Sequence, residues 1–262
     1  MHIEGSVAVV TGAGSGIGRA LARAFAAAGA SVVAGDVNEA GLAETVHGLD
    51  SARTVTTDVS TTEGIERLIA AAPGPVDLFV ANAGITGAPG LGDGEDDWDR
   101  IIEVNLRAHI RAAKLLVPEW EARGHGYFVA VASAAGLLTQ LGAAGYAVTK
   151  HAAVGFAEWL SITYGAKGIG VSCVCPMGVD TPLLNGMVTS DDPATKLAAA
   201  AVRQAGDVLG PERVAELTVE AVRTERFLVL PHAVVLDMYR QKGSDYERWI
   251  AGMRRYQSAL EG

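Results

Sequence analysis

The 262-residue chain carries 30 acidic and 21 basic residues, a formal net charge of −9, six histidines and two cysteines. That length suits one large domain able to bury its own core, and the acidic balance argues against nucleic acid or an anionic membrane as partner. Cys173 and Cys175 share one face of the apolar run VSCVCP and read as small buried strand residues rather than a disulfide framework; the histidines show no ligand spacing, so no metal is expected.

Candidate strands are β-branched or apolar runs at 6–10, 31–36, 53–58, 76–81, 127–133, 169–176 and 226–231, with helical periodicity between them. This alternation predicts βαβ units with right-handed crossovers. The expected fold class is α/β: a doubly wound, seven-stranded, mainly parallel sheet of Rossmann type, with helices on both faces. No linker or repeat divides residues 1–262, which read as a single dinucleotide-binding and catalytic domain. Two segments break the rhythm: 182–210, a helical excursion expected to act as a substrate lid, and 237–262, expected to be a helical tail whose Trp249, Met253 and Tyr256 serve packing. No basic segment followed by an apolar core opens the chain, so a cytoplasmic location is expected, with no membrane anchor.

The first strand runs into Thr11-Gly12-Ala13-Gly14-Ser15-Gly16-Ile17-Gly18, and a helix follows at once. Glycines there permit a tight turn and close approach of a pyrophosphate to the free N–H groups of a helix N-terminus. Gly12, Ser15, Gly16, Ile17 and Gly18 are therefore candidate cofactor contacts. Asp36 ends the second strand, where a carboxylate accepts hydrogen bonds from ribose hydroxyls and repels a 2′-phosphate. Neither Val37 nor Ser15 supplies a compensating cation, which favours NAD over NADP.

Tyr146-Ala147-Val148-Thr149-Lys150 places a phenol and an ammonium on one helix face. A neighbouring cation stabilises a phenolate, so the phenol is expected to be tuned toward neutrality and to exchange a proton with an alcohol or carbonyl oxygen. Ser133 stands thirteen residues earlier, at the carboxyl end of the fifth strand, where ligands of parallel sheets bind.

The TGxxxGxG spacing, the YxxxK pair and Ser133 together resemble the short-chain dehydrogenase/reductase family over the chain to about residue 231. The resemblance implies a catalytic tetrad of Asn105, Ser133, Tyr146 and Lys150, with Asn105 holding a water that links Lys150 to solvent. It also implies adenine contacts from Asp58 and Val59, a strand-end motif at Asn82, Ala83 and Gly84, and nicotinamide contacts from Pro176, Val179 and Thr181. The pattern departs from the family at Met177, which replaces a common glycine and is expected to face the pocket as a flexible apolar wall. Leu138, Gln140, Met177, Leu183 and Met187, with Ser133 and Tyr146, are the candidate substrate-lining residues. Their character suggests a neutral, lipophilic secondary alcohol or its ketone as the small-molecule partner of a homodimer or homotetramer. An NADPH-dependent carbonyl reductase, a non-catalytic NAD-binding sensor or scaffold, and a lyase or epimerase on the same fold stay open as alternatives.

Overall fold

The computed structural model describes residues 1–261. Seven parallel strands pair in the order β3-β2-β1-β4-β5-β6-β7. They are β1 (Val7–Thr11), β2 (Ser31–Asp36), β3 (Ala52–Thr56), β4 (Leu78–Ala81), β5 (Gly126–Val131), β6 (Ile169–Val174) and β7 (Leu228–Val229). The doubly wound sheet expected from the strand–helix rhythm is the observed one. The predicted strands overrun their ladders mainly at the seventh: β7 is an edge strand that pairs only through Leu228 and Val229.

The helices are α1 (Gly16–Ala27), α2 (Glu39–Val46), α3 (Thr62–Ala70), α4 (Glu95–Ile102), α5 (Ala108–Arg123), α6 (Ala135–Leu138), α7 (Ala144–Tyr164), α8 (Pro182–Val188), α9 (Pro193–Gln204), α10 (Pro211–Arg223), α11 (Val234–Ser244) and α12 (Tyr246–Glu261). A π-helical turn over Glu103–Arg107 joins α4 to α5.

The central strands are apolar throughout because both faces are covered. One face packs Phe79, Phe128 and Trp120 with α3, α5 and α7; the other packs Phe25, Leu21, Tyr127 and Val222 with α1 and α10. Trp120 is fully buried, and its indole N–H donates to the Val76 carbonyl at 2.7 Å. Truncating such a side chain to alanine costs about 3–5 kcal/mol. Cys173 and Cys175 are buried on β6 and just beyond it, unbridged, with sulfurs 3.8 Å apart, as expected for small strand residues sharing one face. No helix among the described residues is long and apolar enough to cross a membrane.

With all strands parallel, the carboxyl ends of β1, β4, β5 and β6 lie together along one edge of the sheet. β1 pairs with β2 on one side and β4 on the other, so the chain reverses its winding there and opens a crevice above Thr11.

Candidate active site

The crevice holds a cleft of about 320 Å³ that runs from the Gly-rich turn to Tyr146 and Met177. At its first end Gly12 has φ +65, and a Cβ there would meet the Ala83 Cα at 2.8 Å. A Cβ on Gly18 would lie 2.0 Å from the Gly12 carbonyl oxygen, so the turn and α1 touch backbone to backbone. Ser15 occupies the N-cap position of α1 yet makes no capping bond with its side chain. The first-turn N–H groups and the free hydroxyl therefore face the cleft as ready donors to a phosphate.

The turn is braced from beneath. Asn82 Nδ2 donates to the Thr11 carbonyl at 2.8 Å, while the Thr11 hydroxyl oxygen accepts from the backbone N–H groups of Asn82 and Ala83. Asp36 accepts from the Gly14 N–H and the Asn38 N–H, each at 2.9 Å, which holds its carboxylate at the cleft wall. Arg19, on the first turns of α1, is already committed: it donates to the Gly14 and Gly41 carbonyls, Thr45 and Glu44. These residues fit an anionic dinucleotide.

At the other end α7 carries Tyr146 and Lys150 one turn apart, with the Lys150 Nζ 5.6 Å from the centre of the Tyr146 ring. Lys150 is buried and donates to the Val131 carbonyl at the end of β5, 3.0 Å away. Burial pulls its pKa from 10.5 down to about 8. Ser133 lines the same cleft as the Tyr146 phenol, and its hydroxyl donates to the Pro176 carbonyl at 3.4 Å. It also accepts from the Ala135 N–H at 3.1 Å, fixing the turn into α6.

The phenol itself departs from the tuning expected of a YxxxK pair. Burial raises the Tyr146 pKa above its ordinary value of 10, and only the Ser133 hydroxyl opposes that rise. The physical reason is geometric: the Lys150 ammonium sits by the ring, with its hydrogen bond spent on Val131, while the phenol loses solvent.

Asn105 lies one layer below, completely buried within the π-helical turn. Its Oδ1 accepts from the Ile85 N–H at 2.8 Å, and its Nδ2 donates to the Ile85 carbonyl and to Thr149 Oγ1. Asn105 thereby pins the loop after β4 to α7. A Cβ on Gly84 would come within 3.3 Å of Asn105 Oδ1 and 3.5 Å of Lys150 Nζ, so the two groups converge under Gly84.

The structure gathers most of the sequence-predicted residues around this cleft: Gly12, Ser15, Gly16, Ile17, Gly18, Asp36, Asn82, Ala83, Gly84, Ser133, Gln140, Tyr146, Lys150, Pro176, Met177, Val179, Thr181, Leu183 and Met187. It does not bring Val37, Asp58, Val59 or Asn105 to the lining. Val37 points to solvent, Asp58 is exposed and accepts from the Ser60 N–H, and Val59 is buried in the core. Leu138 lines a neighbouring chamber instead.

Sequence reading missed His232. Its Nδ1 accepts from the Met177 N–H at 3.2 Å, so Nε2 carries the proton and donates to the carbonyls of Gly178 and Asp207. A lone histidine beyond the last strand gives no pattern to find; only the return of the chain beside Pro176 reveals the brace.

A family model for short chain dehydrogenases matches residues 6–192. The chain belongs to the short-chain dehydrogenase family. A 1-deoxy-11-beta-hydroxypentalenate dehydrogenase from Streptomyces exfoliatus is 34% identical over 96% of this chain and 92% of its own. Among solved structures, a family member from Burkholderia phymatum in complex with NAD superposes with a TM-score of 0.85, at 32% identity over 94% of this chain and 96% of that one. A Beutenbergia cavernae protein described as an NAD(P)-dependent gluconate 5-dehydrogenase carries NADP at low occupancy; it matches with a TM-score of 0.78 and 30% identity over 90% of this chain and the whole of its own. The short-chain dehydrogenase described here is thus a nicotinamide-dependent oxidoreductase of alcohols and carbonyls.

Proposed function

We propose that this dehydrogenase uses NAD to interconvert a neutral, lipophilic secondary alcohol and its ketone, with Tyr146 as the proton-exchanging residue. The observation that carries the reading is the convergence of Ser133 and Tyr146 on one cleft whose far end is closed by the Asp36 carboxylate.

NAD, when bound, supplies the carbon that accepts a hydride from the substrate carbinol. Ser133 orients the substrate oxygen. Tyr146, as phenolate, takes the hydroxyl proton while the C–H electron pair departs and the C=O bond forms; reduction reverses each transfer. Lys150 holds its ammonium 5.6 Å from the centre of the Tyr146 ring, beside the phenolate that forms in the reaction. Asn105 holds the loop after β4 against α7, and Gly12, Ser15, Gly16, Ile17 and Gly18 take the pyrophosphate. Pro176, Val179 and Thr181 face the nicotinamide end, with Asn82, Ala83 and Gly84 forming the floor.

Asp36 supports NAD over NADP because a 2′-phosphate would stand against its carboxylate, and Arg19, which binds the same Gly-rich turn, is already paired with Glu44. The test is a double variant, Asp36→Ala with Val37→Arg. It should shift the kcat/KM ratio of NADP to NAD upward by roughly 100-fold, on the order of 3 kcal/mol. A wild type that already prefers NADP would refute the cofactor assignment.

We further propose a soluble, cytoplasmic homo-oligomer. Its support is the stripe of Val148, Trp159 and Ile162 on α7, which are 52%, 54% and 84% exposed in the single chain. Light scattering should give a multiple of the 27.0 kDa monomer, reduced by Trp159→Glu with Ile162→Asp; a monomeric wild type refutes it.

A further inference from the structure

Beside the catalytic cleft lies a second chamber of about 400 Å³, which shares Ser133, Gln140, Met177 and Val202 with it. The two adjoin across these four residues, on the side of the cleft that holds Ser133. The outer wall comes from the end of the chain: Met238 on α11, and Trp249, Met253 and Tyr256 on α12.

That wall is fastened at both ends. Lys242 on α11 is buried and donates from Nζ to the Leu137 carbonyl at 2.7 Å, capping the short helix that follows Ser133. The Tyr256 hydroxyl donates to the Ala201 carbonyl of α9 at 3.2 Å. A buried ammonium is costly unless its protons are placed, so the Lys242 bond fixes where α11 and α12 dock.

The lining contains no Asp, Glu, Lys or Arg; its polar groups are neutral amides, Gln140, Gln204 and Gln241, and the hydroxyls of Ser133, Thr139 and Tyr256. A carboxylate there would lose its hydration without gaining a cation. Benzene fills a cavity of about 150 Å³, and this chamber offers well over twice that.

We propose that the chamber receives the distal body of the substrate, that the chain's own α12 closes it, and that it selects uncharged secondary alcohols carrying a fused, alicyclic ring system. This rests on Ser133 and Tyr146 marking the reacting end. Trp249 and Met253 set the depth of the chamber, so the packing role expected of the tail is joined by a specificity role.

The test compares cyclohexanol, decahydro-2-naphthol and a carboxylated decahydro-2-naphthol with NAD, in the wild type, Ala205→Trp, Met253→Phe and Trp249→Ala. The wild type should prefer the bicyclic alcohol to cyclohexanol by at least tenfold in kcat/KM, and to its carboxylate by at least 100-fold. Filling the chamber with Ala205→Trp or Met253→Phe should cut the bicyclic-to-monocyclic ratio at least tenfold; Trp249→Ala changes the same ratio by altering the opposite wall. Ratios unchanged within twofold across folded variants would overturn the proposal. Independently of turnover, 2-decalone should quench a fluorescence component that is lost in Trp249→Phe, and no saturable quenching would also overturn it. If the wild type oxidises no alcohol yet 2-decalone binds at Trp249, the chamber stands and the dehydrogenase reading of the substrate fails. If it oxidises only cyclohexanol and 2-decalone does not bind, the reverse holds.

Discussion

Lys150 directs its ammonium at the carbonyl of Val131, 3.0 Å away, from a position almost without solvent. One backbone acceptor does not replace the hydration of a cation, and the pKa falls from 10.5 to about 8. The charge needed beside Tyr146 is thus held at a cost to the fold.

This cost is measurable. Below pH 8 both folded and unfolded states bind the Lys150 proton, and the folded state bears the whole penalty, about 3 kcal/mol at 1.36 kcal/mol per unit. Between pH 8 and 10.5 the unfolded chain binds more protons, so folding gains stability as pH rises. Lys150→Met should therefore melt higher than the wild type at pH 7 in the absence of cofactor, have no turnover, and lose that advantage toward pH 10. Urea titrations at pH 7 and 10 check it; a less stable Lys150→Met at pH 7 would contradict it.

His109 acts at the acid end. It is fully buried on the first turn of α5, with its ring tilted against Phe128 of β5, and neither ring nitrogen has a hydrogen-bond partner among the described residues. Burial, with the nearby Lys150 charge, drops its pKa from 6.5 to about 3. Its contribution is fully present above pH 6.5 and is lost as pH falls toward 3, at about 1.4 kcal/mol per unit. His109→Phe should remove that part of the acid sensitivity, so that at pH 5 it has lost about 2 kcal/mol less than the wild type. Identical pH dependence in the two proteins would refute the assignment.

His232 ties the turn after β6 to the segment after β7 through three backbone groups. Burial lowers its pKa, and the neutral ring is the form that accepts from Met177. His232→Ala leaves those groups without their partner, a loss of about 1–3 kcal/mol. We expect a KM for NAD raised several-fold, because Pro176 and Val179 lose their brace, with kcat less affected. Unchanged NAD kinetics would show the brace to be irrelevant to the cofactor.

The fold and the cofactor end were legible because each rests on local chemistry. Strand–helix alternation gives parallel strands, and the Gly-rich turn followed by Asp36 gives the crevice. Spacing pointed to Ser133, Tyr146 and Lys150, which line one cleft, but not to their electrostatics: that the Tyr146 pKa is raised rather than lowered depends on solvent lost to residues far away in the chain. For Asn105 the resemblance implied a water contact; its brace on Ile85 could not be read, since that partner is a backbone group and the π-helical turn that seats it leaves no signature in the run EVNLR. The place of Trp249 and Met253 in the chamber wall, and the brace made by His232, escaped because their neighbours come from distant helices and loops. Asp58 and Val59 were placed by resemblance, and they stand outside the cleft.

The most direct test of the central claim follows absorbance at 340 nm for the wild type and Tyr146→Phe, with NAD and a neutral alicyclic secondary alcohol, from pH 6 to 8, where Lys150 keeps its proton. Since burial holds the phenol protonated, wild-type oxidation should accelerate with pH, by at most about tenfold per unit for one proton. Tyr146→Phe should bind NAD with unchanged affinity and lose turnover by roughly 1,000-fold or more. A Tyr146→Phe enzyme that keeps wild-type turnover, or a wild type whose oxidation slows as pH rises through this range, would contradict the account.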